Sequence, residues 1–160
     1  MTPEYLRPFV LPTKPCLRER QTAVDFSLPP GESRCPAVVF VHGGPIPETT
    51  NPAPSGWPVY LGYGQAVAER GAVGAMFDHR LRDVGDLGGV PIVLTPVGLE
   101  KPEIAATVTA FLARAEAEDV PVHTIDVPNG RHGFDYLDDT DESRDAIIEG
   151  IDAVLARPCA

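Results

Sequence analysis

A chain of 160 residues with 43% hydrophobic and 22% charged residues can bury one core, so a single globular domain over residues 1–160 is expected. Its net charge of -10 provides no basic stripe to neutralise phosphates, which argues against nucleic acid as a partner. Cys16, Cys35 and Cys159 match no metal spacing, the first residues contain no apolar signal segment, and no apolar run reaches the length of a membrane span. These features predict a soluble, cytoplasmic protein with free thiols, no metal, no cofactor and no membrane partner.

Residues 1–16, broken by prolines, read as an arm on the surface. Arg18 to Leu28 alternates through Thr22, Val24, Phe26 and Leu28, which suits a half-buried edge strand. After the turn at Pro29-Pro30-Gly31, the run Ala37 to Val41 has no polar residue, the pattern of a strand buried on both faces of a parallel sheet. It stops at His42-Gly43-Gly44-Pro45. A glycine pair behind a histidine at a strand end can aim backbone N–H groups at a developing oxyanion, and it is equally the turn of an ordinary α/β strand.

Five prolines between Pro45 and Pro58 predict a long rigid loop. Trp57, Tyr60 and Tyr63 either wall a pocket there or pin the loop to the core. Gln65 to Arg70 reads as a short helix stopped by Gly71, and Ala72 to Phe77 as a second buried strand ending at Asp78-His79-Arg80-Leu81. A polar, glycine-rich bridge, Arg82 to Gly89, leads to a third strand, Val90 to Val97, and the turn Gly98-Leu99-Glu100. Pro102 and Glu103 open a helix that keeps Ile104, Val108, Phe111, Leu112 and Ala115 on one face to about Ala117. A fourth strand, Val120 to Val127, runs into the loop Pro128 to Phe134. A last helix spans Asp141 to Ala156, and the acidic residues Asp138, Asp139, Asp141 and Glu142 suit its positive N-terminus without a metal.

Strands alternating with helices predict an α/β fold with a mainly parallel sheet, flanking helices and an N-terminal edge strand. In such sheets ligands bind beyond the carboxyl ends of the strands, where His42, Glu100 and His132 all fall.

Those residues resemble the α/β-hydrolase superfamily, near its dienelactone-hydrolase and esterase branches, over roughly residues 20–157. His42-Gly43-Gly44 resembles its oxyanion loop. Gly62 to Leu81 is similar to the helix and strand that follow that loop. Gly98-Leu99-Glu100 resembles the turn of the catalytic acid, and Gly130-Arg131-His132-Gly133-Phe134 the turn of the catalytic histidine. The resemblance implies a small carboxylic-ester or lactone hydrolase: His132 as general base, Glu100 orienting it, His42, Gly43 and Gly44 around the oxyanion, and Trp57 and Tyr63 near the substrate.

The family's G-x-S-x-G nucleophile elbow has no counterpart, because only Arg82 to Gly89 lies where a strand, turn and helix would carry it. Asp86 has no strand before it, and Ser55 is a low-ranked nucleophile in the proline-rich loop. The alternative is a non-catalytic ligand-binding or self-associating remnant, or a deletion scaffold, of the same fold. A shortened parallel sheet with three helices would leave an apolar face bare, which predicts a homodimer.

Overall fold

Thr22, with φ of 54°, turns the chain back on itself where the sequence reads a continuous edge strand. The computed structural model describes residues 3–31, 35–40, 49–77 and 92–156. In it, β1 (Leu17–Gln21) and β2 (Val24–Leu28) form an antiparallel hairpin that pairs Leu17 with Leu28 and Gln21 with Val24. The turn contains neither glycine nor asparagine, so the alternation of the two strands is legible and the reversal between them is not.

The described residues divide between two compact units, one through Phe77 and one from Ile92. In the first unit, β3 (Ala37–Phe40) and β4 (Val73–Phe77) extend the hairpin into a sheet of order β1-β2-β4-β3. β4 runs antiparallel to β2 and parallel to β3. Its Gly74, Ala75 and Met76 are buried, as expected of the second strand. β3 departs from its expected place at the buried centre. Among the described residues it lies at the sheet's edge with β4 as its strand neighbour, and Val39 is 57% exposed. An apolar run signals β propensity whether or not a second neighbour covers it.

The helix α1 (Pro58–Glu69) begins well before Gln65, with Pro58 in its first turn. Gly62 and Gly64 lower helix propensity and hide this start, but packing requires them. A methyl group on Gly74 would lie 2.8 Å from the Gly64 Cα, so α1 and β4 meet backbone to backbone. Phe9 occupies the space over Gly62. The arm is therefore docked on the first unit: Tyr5 stacks on Trp57 at 4.6 Å between ring centroids, and Phe9 meets Tyr63 at 4.7 Å.

In the second unit, the third and fourth predicted strands pair in parallel, each in two pieces. β5 (Ile92–Leu94) pairs with β7 (Val122–Thr124), and β6 (Val97–Leu99) with β8 (Val127–Arg131). Pro96 has no N–H to donate to a ladder, which interrupts the strand. Ile125 N–H to Leu94 O and Val127 N–H to Pro96 O carry the pairing across the break. β6 and β8 both run past the expected strand ends, so Leu99, Gly130 and Arg131 are strand residues rather than loop residues. α2 (Pro102–Ala117) buries Ala115 and half-buries Ile104, Val108, Phe111 and Leu112. A short α3 (Phe134–Leu137) leads to α4 (Asp141–Leu155), which packs Ala146, Ile147 and Ile151 toward β5 and β8. Thr140 caps α4 by accepting the Ser143 N–H at 3.1 Å.

The chain is thus of the α/β class, but its sheets are short and partly antiparallel. Among the described residues the expected single, mainly parallel sheet gives way to three sheets, of four, two and two strands, because the N-terminal strand is a hairpin and the later strands are broken. Among the described residues, no helix is long and apolar enough to cross a membrane.

Candidate functional site

The second unit brings Glu100 and His132 together. Each follows directly on a strand end, β6 for the acid and β8 for the histidine. The register between those strands decides that they meet. Val97 pairs with Val127 but Leu99 pairs with Arg131, so a step of two on β6 spans a step of four on β8. This bulge at Pro128 to Gly130 places Arg131 opposite Leu99, and the residues that follow each become neighbours.

The His132 Nδ1 stands 2.8 Å from Glu100 Oε2. A carboxylate can only accept, so Nδ1 carries the proton and Nε2 is left to take one up. The second carboxylate oxygen, Oε1, accepts the Lys101 backbone N–H at 2.8 Å. Glu100 is thus oriented through both oxygens, and its side chain is 8% exposed. Burial pushes its carboxyl up, but the hydrogen bonds from His132 and from the Lys101 N–H, with the charges of both residues, outweigh it and hold the carboxyl below its ordinary value. The His132 side chain is 63% exposed. A fixed, buried acid behind an accessible imidazole is the arrangement of a general base.

The turn that carries His132 is built from its own sequence. Gly133 has φ of 79°, a left-handed conformation in which a side chain would be strained and would also run into the Tyr136 ring. Its carbonyl accepts the N–H groups of Tyr136 and Leu137 as α3 begins. Asp138, at the end of α3, accepts the Arg131 backbone N–H at 2.8 Å and the Arg131 Nε at 2.7 Å. The Arg131 guanidinium, with burial opposing it, holds the Asp138 carboxyl below its ordinary value. Sequence pattern alone assigns Asp138 to the carboxylates of a helix start and misses this pairing. An arginine seven residues before an aspartate, across a glycine turn, is the signal that could have found it. Asp139 and Asp141 instead pair with Arg144, and Glu142 accepts from the Asn129 N–H. Among the described residues no group of His, Cys, Asp and Glu is arranged to hold a metal ion.

The other candidates fall in the first unit or outside the described residues. Trp57 stacks on Tyr5 and Tyr60 and donates its indole N–H to Pro52 O at 2.9 Å. Tyr63 lies between Phe9 and Phe40. Both rings therefore pin the arm and α1 to the core of that unit. Ser55 is buried in the 3-10 turn Pro54–Gly56, and its Oγ accepts from Arg20 at 3.3 Å. Ser27 and Ser143 are also buried. His42, Gly43, Gly44, Asp86 and the Arg82 to Gly89 bridge lie outside the described residues.

No family model, curated protein or solved structure matches this chain.

Proposed function

We propose that this chain is a small hydrolase of carboxylic esters or lactones, akin to the α/β-hydrolase superfamily, in which His132 acts as a general base on water. The single observation that carries the reading is the 2.8 Å contact of His132 Nδ1 with the doubly held Glu100 carboxylate. The H-G-G, acid-turn and histidine-turn order of the sequence supports the family likeness. In the reaction, Nε2 takes a proton from water as its oxygen attacks the ester carbonyl. The tetrahedral adduct then expels the alkoxide, which recovers that proton from the imidazolium. Glu100 stabilises the imidazolium between the two steps.

Water is favoured over a serine as nucleophile because no G-x-S-x-G elbow is present and the described serines are all buried. Incubation with a fluorophosphonate beside an aryl-ester assay tests this choice. Slow turnover with no covalent label is expected. Stoichiometric labelling of any serine, Ser55 included, would overturn it.

A second reading, self-association through a homodimer, is favoured by β3, which among the described residues pairs on one side only, with β4. The outer N–H and C=O groups of an edge strand are a template for another strand, and a two-fold pairing of β3 with β3 of a second copy would satisfy them. It is compatible with the first reading.

A further inference from the structure

The geometry points to Asp138 as the positioning residue for His132: by clamping Arg131, the residue just before it, this carboxylate fixes the direction in which the imidazole leaves the backbone. The inference deepens the reading of His132 as a base and rests on it.

The problem the clamp solves is visible in the exposure of the pair. The His132 ring is 63% exposed, and Glu100 holds it through Nδ1. An exposed ring held by one hydrogen bond retains rotamer freedom, and each rotamer other than the bonded one removes Nε2 from its working position. Freedom can be cut from the backbone side instead. Asp138 has a side chain only 13% exposed and accepts from Arg131 at three atoms: the backbone N–H, Nε and Nη2. The same Nη2 donates to Leu137 O at 2.9 Å. Arg131 and Asp138 thus close the turn into a ring. Inside the ring, the Gly133 carbonyl receives the Tyr136 and Leu137 N–H groups, and the Tyr136 ring covers Gly133. Both backbone neighbours of His132 are therefore fixed, one by a carboxylate that takes two guanidinium donors on Oδ1 and the backbone N–H on Oδ2, and one by a left-handed glycine under an aromatic ring. The Arg131 guanidinium faces Asp138 and Leu137, so its role here is to be held.

Which ring nitrogen carries the proton can be read from the ¹⁵N shifts of His132 in the full chain, at a pH where the imidazole is neutral. Wild type is expected to hold the Nδ1–H tautomer, and Glu100→Ala to lose that preference. Asp138→Ala, with Glu100 intact, is expected to lose it as well, together with ester turnover. Loss in Glu100→Ala but retention in Asp138→Ala would overturn the clamp while leaving the base reading in place. Retention in Glu100→Ala would overturn both. Arg131→Gln keeps the backbone donor to Asp138 and is expected to show the same loss; where Asp138→Ala does not fold, Arg131→Gln decides by the same criterion.

Discussion

Leu99 and Arg131 sit opposite each other across β6 and β8, out of step with the register that Val97 and Val127 establish. That shift makes neighbours of Glu100 and His132, whose 2.8 Å contact holds the acid ionised against its own burial. A carboxyl whose value is depressed on folding adds stability above its ordinary range, and that stability is lost as the pH falls through the depressed value. A ¹³C-carboxyl titration should therefore place Glu100 below its ordinary value, and His132→Ala should raise its midpoint. The urea midpoints of wild type and His132→Ala should differ near neutrality and converge in acid. A Glu100 midpoint unchanged by His132→Ala would contradict the pairing.

In the first unit, the backbone contact of Gly64 with Gly74 leaves no room for a side chain. Gly74→Val should destabilise the fold by about 1–3 kcal/mol through overpacking, read as a lower urea midpoint. An unchanged midpoint would mean that α1 and β4 separate at little cost.

The proposed self-association can be tested at Val39, which is 57% exposed on β3. Sedimentation equilibrium at micromolar concentration should show a dimer, and Val39→Lys should shift it to monomer by setting like charges across the pairing. A wild-type chain that stays monomeric would remove this reading.

The periodic and punctuated parts of this chain are the parts its sequence discloses. Ile147 and Ile151 place α4, Pro102 starts α2, and the glycine turn after β8 marks the histidine. Parallel pairing of the two strands before Glu100 and His132 is legible from their shared apolar pattern. Less legible is whatever depends on a partner far along the chain. Thr22 makes a turn with no glycine to announce it, Gly62 and Gly64 disguise a helix because Phe9 and Ser27 need the space, and β3 looks central although among the described residues it has β4 alone as strand neighbour. The Arg131 to Asp138 pair is local, seven residues apart, and is obscured because either residue alone reads as an ordinary surface charge.

The most direct test of the central claim is the rate of hydrolysis of an activated aryl ester by His132→Ala relative to wild type. General-base catalysis contributes roughly 10²–10⁴-fold, so the variant should fall by that order while its urea midpoint shows it folded. Equal rates in a folded His132→Ala would contradict the assignment of His132 as the base.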